Sequence, residues 1–319
     1  MDKDKLSPTD WLNTIERDYL RTYVLAGGST VKVVVANTVD REITRAALEQ
    51  RAKSTGYRYA HVDSGTRRVH LVHQVFWEIA RQIPWQIVAQ NVLRKTLQGD
   101  SRVTPHNGDL SIAALAEAND QTEDELIRAL RRLVSNRVYK DYALSREFRS
   151  AAAALCHAVY DQSADVQQLA ADVRAWLDGT LERVGAVRRS GLFRKIGRSN
   201  ARQLLYSATS WLRTSGDPGI VITVDVARYI LGKDAPLGSF PAYTKLAALD
   251  FNEVLRQFID AADDLHGAVI IFLTDDKFLT DHTRGLGGYE ALRLRLTDNV
   301  RDRERPNPLA PMVLLETGS

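Results

Sequence analysis

Acidic side chains follow two of the most apolar segments of the chain, where they could hold a divalent metal ion. Asp225 closes the run 219–224, and Asp275 and Asp276 follow the run 268–274. Such runs are typical of strands buried on both faces of a parallel sheet, which presents its ligands at the carboxyl ends of strands. A strand-end carboxylate is one way in which nucleotide-hydrolysing enzymes hold Mg²⁺. A turn or a helix cap is the competing interpretation.

A second segment with chemical potential is strongly basic. Between residues 182 and 202, seven cations accompany a single acid, Glu182. This local positive field could contact a nucleic-acid backbone, a partner protein or solvent alone, and the sequence leaves the three alternatives open. The cations are Arg183, Arg188, Arg189, Arg194, Lys195, Arg198 and Arg202.

Cysteine and histidine chemistry is limited in this chain. Cys156 is the only cysteine, which excludes an internal disulfide and favours a reducing cytoplasm. His70 and His73 lack further ligands at a fitting spacing, so we expect no metal site there. No apolar run reaches the roughly 18 residues of a membrane-spanning helix. A net charge of +3 requires any nucleic-acid surface to be local.

These residues are embedded in an α/β pattern that a long helical block interrupts. Strand-like runs occur at 31–35, 57–62, 219–225, 268–274 and 311–315, with a helix from about Asp40 to Ser54 between the first two. Strand, helix and strand within about 35 residues predict a βαβ unit and a parallel sheet. We therefore divide the chain into a helical N-terminal segment (1–30), a first βαβ part (31–68), a helical insertion (69–215) and the remainder of the α/β core (216–319).

Several segments of the chain carry a more specific pattern in a fixed order. They are residues 11–20, 27–29, 31–35, 175–179, 211–213, 219–225, 284–296 and 308–315. Their order and spacing resemble the ATP-binding proteins of BREX-type phage-exclusion systems, a divergent branch of the AAA+ P-loop nucleotidases. The stretch 284–296, with Arg284-Gly285-Leu286 and later Tyr289, is the most specific part of the resemblance.

The resemblance implies an AAA+-like P-loop parallel sheet flanked by helices, with the block 69–215 as a large helical insertion. AAA+ proteins usually continue past the last strand into a helical lid over the nucleotide. This sequence stops at Ser319, four residues beyond Leu315. We therefore expect no C-terminal lid within it.

The phosphate-binding loop of the family is degenerate in this chain. The family pattern G-x-x-x-x-G-K-[ST] places Ala36 at the first Gly, Arg41 at the second, Glu42 at the Lys and Ile43 at the hydroxyl, with Asn37 inside the loop. Glu42 would repel a triphosphate, by several kcal/mol at about 4 Å, and Ile43 cannot bind a metal ion. Arg41 cannot readily adopt the positive φ that glycine supplies. Under this register only Arg41 and Arg45 are near enough to replace the missing lysine.

The remaining motifs of the resemblance are eroded or ambiguous. The strand-end Asp225 is followed by Val226, where active relatives carry a Glu that polarises the attacking water. Thr274 takes the position of the sensing polar residue, and we interpret it as structural. Arg284 takes the position of a conspicuous family arginine, and it is either an arginine finger supplied to a neighbouring subunit or a tether for the turn 285–288.

The sequence therefore predicts a non-catalytic, pseudo-ATPase subunit of a bacterial anti-phage defence system, with no cofactor. It would act in the cytoplasm as a scaffold or adaptor for an ATPase, a nuclease or a methyltransferase of the same locus, or for DNA, and oligomer formation stays open. One alternative is an ATPase that binds ATP and Mg²⁺ through a rearranged phosphate loop. Another is a DNA-binding module that uses the basic segment 183–202.

Overall fold

A parallel sheet lies at the centre of the α/β part of the chain, in the order β1-β6-β2-β5-β4-β3. The computed structural model describes residues 5–99, 109–231, 243–297 and 306–315. The strands are β1 (Lys5–Leu6), β2 (Thr30–Val35), β3 (Arg58–Asp63), β4 (Ile220–Asp225), β5 (Ala268–Thr274) and β6 (Met312–Leu315).

The predicted α/β architecture with a parallel sheet is confirmed. β2, β4 and β5 are buried almost throughout, as expected for β-branched runs covered on both faces. The prediction missed β1, which pairs with β6 at the edge of the sheet. A strand of two residues carries no periodicity that a sequence pattern can reveal.

Helices surround the sheet and also build a separate block. In chain order they are α1 (Pro8–Thr14), α2 (Thr38–Ser54), α3 (Val72–Arg81), α4 (Trp85–Gln98), α5 (Ile112–Asn119), α6 (Glu123–Val134), α7 (Arg146–Tyr160), α8 (Ala164–Leu177), α9 (Ala201–Ser215), α10 (Ala227–Leu231), α11 (Lys245–Asp260), α12 (Lys277–Thr280) and α13 (Glu290–Leu296). The chain also has π and 3₁₀ segments, among them Ile15–Tyr23, Ser135–Tyr139 and Val184–Ser190. None of the helices described is long and apolar enough to cross a bilayer.

The chain divides into an α/β unit (1–79 and 217–319) and a helical unit (80–216). The sequence placed the start of the insertion at 69, but residues 69–79 cluster with the α/β unit. Two contacts hold this stretch there: the Val69 N–H donates to the Tyr243 hydroxyl at 3.2 Å, and Arg67 Nε donates to Glu78 Oε2 at 2.6 Å. Tertiary contacts, which no local pattern encodes, set this boundary.

The sheet of the α/β unit has apolar layers on both faces. On one face, Trp11 and Leu48 belong to a buried cluster with Val34 and Ile271 of the sheet. In another contact, the Phe258 ring of α11 lies 6.0 Å from that of Phe272 in β5. These layers hold the strands in one register, so that their carboxyl ends meet along a single edge.

The helical unit has a core of its own, built on aromatic side chains. Trp211 of α9 stacks on Trp85 of α4 with ring centroids 6.1 Å apart, and it meets Phe148 of α7 edge to face at 5.6 Å. Cys156 is fully buried, and burial raises the pKa of its thiol to about 12, so it acts as a small apolar residue. The sequence Thr122-x-x-Glu125 is typical of a capping box, and both of its reciprocal hydrogen bonds form at the start of α6.

Candidate functional site

The turn between β2 and α2 consists of two residues, Ala36 and Asn37. Asn37 caps the helix, because its Oδ1 accepts the Asp40 N–H at 2.9 Å and its carbonyl accepts the Arg41 N–H at 2.9 Å. The helix begins at Thr38, two residues earlier than predicted. The positions that the resemblance assigns to a phosphate loop are therefore mostly helical, and the Asp40 and Arg41 amides are already bonded to Asn37.

Arg41 points from the first turns of α2 into the carboxyl edge of the sheet. Its side chain is 9% exposed, and its Nε lies 3.3 Å from Oδ2 of Asp225 at the end of β4. Its Nη1 lies 3.9 Å from Oδ2 of Asp275, just beyond β5, and 3.4 Å from the Ala36 carbonyl oxygen. One guanidinium thus occupies the space between the ends of β2, β4 and β5.

The next two residues of the degenerate loop face away from this edge. The Glu42 side chain is 61% exposed and pairs with Arg45 at 3.0 Å, and Ile43 is 57% exposed. Arg45 also contacts Glu49, at 3.3 Å, along the outer surface of α2. The structure therefore does not bring Glu42 or Ile43 to a phosphate position. The Arg41 side chain fills the carboxyl edge of the sheet, whereas the charge of Glu42 faces away from it.

Asp225 is both the partner of Arg41 and a cap. Its Oδ1 accepts the Ala227 N–H at 3.0 Å, at the start of α10. Burial raises the pKa of its carboxyl above the ordinary value, and the opposing attraction of Arg41 only partly offsets burial. Val226 is buried, and its N–H donates to the Leu273 carbonyl oxygen at 2.8 Å. The position after the strand-end Asp therefore offers no side chain for proton transfer.

Thr274 closes β5 beside the turn that follows β2. Its carbonyl oxygen accepts the Ala36 N–H at 2.9 Å, and it pairs with Val35 in the sheet register. The side chain is fully buried, and its Oγ1 has no hydrogen-bond partner within the described chain. Thr274 thus joins the two strand ends through its backbone.

Arg284 is folded onto its own unit. Its Nη1 donates to the Tyr243 carbonyl oxygen at 2.8 Å, and its backbone N–H donates to Asp281 Oδ1 at 2.9 Å. Its carbonyl oxygen accepts from Asn252 Nδ2 at 3.1 Å. These bonds tether the turn before α13, and a role as an arginine finger would require the bond to Tyr243 to open.

The basic segment 183–202 belongs to the helical unit. A 3₁₀ turn, Val184–Ser190, is followed by irregular chain up to α9. Arg189 donates to the Asp165 carbonyl oxygen at 2.8 Å, and Arg194 pairs with Glu147 at 2.8 Å. Arg202 is half-buried, whereas the exposed cations are Arg183, Arg188, Arg189, Arg194, Lys195 and Arg198.

Two features of the edge were missed by sequence reasoning. Asp275 was named only as a strand-end residue, although it lies on the other side of Arg41 from Asp225. The direction of the Arg41 side chain could not be inferred, because the start of α2 was placed too late. Over the described residues, no group of three His, Cys, Asp or Glu side chains could hold a metal ion.

Comparison with known protein families identifies the chain. Residues 46–317 match the model of the family described as BREX system ATP-binding protein BrxC/D. The matched part covers most of the chain and begins just after the degenerate loop. No curated protein and no solved structure matches the chain. The chain, with its P-loop AAA+-like parallel sheet, therefore belongs to the BREX system ATP-binding protein BrxC/D family.

Proposed function

We propose that this chain is a non-catalytic subunit of a BREX anti-phage system. Family membership supports its place among the subunits of a defence locus. In this proposal it works in the cytoplasm as a scaffold or adaptor for other subunits and binds no nucleotide at the sheet edge. The observation that carries the proposal is the buried Arg41, which is paired with Asp225 and Asp275.

Binding of ATP and Mg²⁺ at this edge would require two costly changes. The phosphates need converging backbone amides, so the first turns of α2 would have to unwind from the cap at Asn37. The metal ion would have to displace the Arg41 guanidinium from Asp225. Removing one partner of a buried ion pair costs about 3–5 kcal/mol. The residues present do not fit an ATP–magnesium site.

Hydrolysis faces a further obstacle after β4. A water molecule that attacks a phosphate needs a group to orient it or to accept its proton, and Val226 offers none. Asp225 is already engaged with Arg41 and with the Ala227 N–H. We therefore assign the edge a structural role, in which Arg41 neutralises the strand-end carboxylates.

Titration calorimetry with ATP and Mg²⁺ tests the first part of the proposal. We expect no saturable heat from the sheet edge at millimolar ATP and no phosphate release above the blank. The rearranged-loop ATPase makes the opposite prediction, a micromolar dissociation constant that the Arg41→Ala variant loses and the Glu42→Ala variant keeps. That result would replace the pseudo-ATPase proposal by the ATPase alternative.

Co-elution with an intact ATPase of the same locus tests the adaptor role. If the chain lends an arginine to that ATPase, its turnover should rise about 10³-fold, because a finger supplied in trans has effects of that order. The Arg284→Ala variant should still co-elute but stimulate far less, whereas Arg293→Ala, on the exposed side of α13, serves as the control. Absence of co-elution with any subunit of the locus would contradict the adaptor role.

The exposed cations of the basic segment favour DNA as a second candidate partner. Binding through this segment should weaken steeply with salt, because phosphate contacts release counterions. Replacing Arg188, Arg189, Arg194 and Lys195 by Ser should flatten the slope of log K against log salt by up to about three to four. Replacing the exposed Arg132 and Arg137 by Ser is the matched control. Equal slopes in the parent protein, the basic-segment variant and the control would show that the segment does not take part in DNA binding.

A further inference from the structure

The helical unit contains an open cleft of about 360 Å³ that the function proposed above does not use. Its walls come from α6, the π segment Ser135–Tyr139, α7, α8 and the 3₁₀ turn Val184–Ser190. Clefts of this size are in the range that holds small organic ligands. The segments that form it follow one another between residues 131 and 190 and belong to one compact unit.

The floor of the cleft holds a hydroxyl group without a partner. Ser150 of α7 is 2% exposed and lines the cleft, and its Oγ has no hydrogen-bond partner in the part of the chain that the structure describes. The neighbouring Ala153 and Ala154 are small and leave the space above them open. Gly191 has a φ of +89°, and a Cβ there would lie 3.1 Å from Ser150 Oγ. The lining at this point therefore consists of small side chains, Ser150, Ala153 and Ala154, and Ser150 Oγ is itself enclosed.

Two arginines make the cleft attractive to an anion. Arg131 is 60% exposed, lies 3.7 Å from its acidic neighbour, Asp161, and also interacts with the Tyr160 hydroxyl, which leaves further N–H groups of the guanidinium to offer. Arg189 uses one N–H group in its bond to the Asp165 carbonyl oxygen and has others to offer. The lining therefore carries two cations against one carboxylate, and arginine forks match the oxygens of a phosphate group.

His157 adds a neutral donor or acceptor to the same wall. Burial lowers the pKa of its imidazole to about 4, so the ring is uncharged at neutral pH. Its Nδ1 lies 2.5 Å from the Tyr160 hydroxyl, and burial raises the pKa of that phenol, which keeps its proton. If the phenol donates to Nδ1, the proton of the ring sits on Nε2. This arrangement suits a hydroxylated, polar ligand better than a purely apolar one.

Apolar surface completes the lining. Tyr139 presents an aromatic ring, and Val166 and Leu169 of α8 are half-buried beside the cleft. Aromatic and apolar side chains of this kind provide a surface on which a nucleic-acid base can stack. The cleft thus combines two cations, an uncharged imidazole and an apolar wall. We propose that it binds a nucleoside 5′-phosphate, either as a free nucleotide or as the phosphorylated end of a strand.

Calorimetric titration of the full chain with AMP and with adenosine tests this proposal. We expect saturable AMP binding and at least about tenfold weaker binding of adenosine, because charge-assisted bonds to the phosphate are the strong ones. Arg131→Ala and Arg189→Ala should each weaken AMP binding about tenfold. The adjacent exposed cations supply matched controls, and Arg132→Ala and Arg188→Ala should leave it unchanged.

A pair of oligonucleotides distinguishes the two sources of the phosphate. If a strand end is the ligand, a 5′-phosphorylated oligonucleotide should bind more tightly than AMP and than the same strand with a 5′-hydroxyl. If a free nucleotide is the ligand, AMP should bind, and the affinity for the oligonucleotides should not depend on their 5′-phosphate. The proposal is overturned if neither AMP nor the phosphorylated strand binds saturably, or if the control variants weaken binding as much as the cleft variants.

The same variants keep this proposal separate from the test of the sheet edge. ATP also carries a nucleoside 5′-phosphate, so it could produce heat by entering the cleft. Binding heat that is lost in the Arg131→Ala/Arg189→Ala double variant comes from ATP in the cleft. Binding heat that persists in this variant comes from ATP at another site. The absence of ATP binding at the edge can therefore be judged in the double variant.

Discussion

The edge of the sheet and the cleft of the helical unit use the same residue types in opposite ways. Each combines arginine with aspartate, but Arg41 at the edge is buried against Asp225 and Asp275, whereas Arg131 in the cleft is mostly exposed and touches Asp161 only at 3.7 Å. At the edge the protein satisfies its own charges. In the cleft, two cations line open space.

This difference shows that binding capacity depends on unsatisfied groups rather than on residue types. The edge keeps its strand-end Asp225, yet that carboxylate is already bonded to an arginine and to a helix amide. A motif search identifies Asp225 as a possible metal ligand, whereas the geometry shows that its carboxylate is already bonded within the protein. Four measurements test this difference between the edge and the cleft.

The largest effect should come from Trp211→Ala in the helical unit. The side chain is 1% exposed and packs against Trp85 and Phe148, so its removal should cost about 4 kcal/mol through lost burial and a cavity. Hydrogen exchange should show lost protection in α4, α7 and α9, and the exposed Leu294→Ala should change little. Equal loss of protection in β2 and β4 would show that the cleft has no independent core.

Arg41→Ala should be the next most damaging change. It leaves Asp225 and Asp275 without their cation, and we expect a loss of about 3 kcal/mol in the free energy of unfolding by urea. The control is Glu42→Ala, which alters an exposed side chain and should stay within about 0.5 kcal/mol. Adding Asp225→Asn to Arg41→Ala should recover part of the loss. If Arg41→Ala proves as mild as its control, the edge is not held by this arginine.

Acid should weaken the helical unit through His157. Burial lowers the pKa of the ring from 6.5 to about 4, so its stabilising contribution is complete above pH 6.5 and is lost as the pH falls toward 4. At pH 5 the loss should be about 2 kcal/mol. Protection of α7 amides, compared between pH 7 and pH 5, measures it, and His157→Gln should remove the pH dependence. An unchanged dependence in that variant would assign it to another group.

The smallest effect should follow Thr122→Ala. This residue caps α6, the helix that carries Arg131, through a reciprocal pair of bonds with Glu125. We expect a loss of about 1 kcal/mol, measured by thermal unfolding. Fraying at this end should leave the far end of the helix ordered, so AMP binding in the cleft should persist. Loss of AMP binding together with the cap would show that Arg131 depends on the whole helix.

Sequence patterns predicted the features that depend on local or strongly periodic signals. Buried strands such as β2 and β5, the parallel sheet and the capping box of Thr122 all follow from composition and spacing. The start of α2 was placed at Asp40 instead of Thr38, because Asn37 acts as the cap and the following Thr and Val are weak helix formers. Because of this difference, residues 38 and 39 belong to the helix and not to a loop after β2.

The occupants of the two sites depend on three-dimensional proximity. Asp225 and Asp275 reach Arg41 from strands that lie far from α2 in the sequence. The lining of the cleft comes from five consecutive elements between residues 131 and 190, and neither Ser150 in its alanine-rich helix nor Arg131 on an amphipathic one carries a signal of binding. A sequence can indicate residues capable of chemistry, but it does not indicate which of them are already satisfied.

The division of the α/β unit into two distant stretches has a consequence for the order of folding on the ribosome. The helical unit is continuous, so it can fold once residue 216 has left the exit tunnel. The sheet must wait, because β2 needs β5 and β6 as neighbours and β1 pairs with β6 alone. At synthesis rates of about 5–20 residues per second, β2 waits roughly 3–12 s for β5 and roughly 5–20 s for β6 after the helical unit is complete. During that interval the apolar strand β2 is exposed, and a chaperone or a partner subunit has its best opportunity to bind the nascent chain.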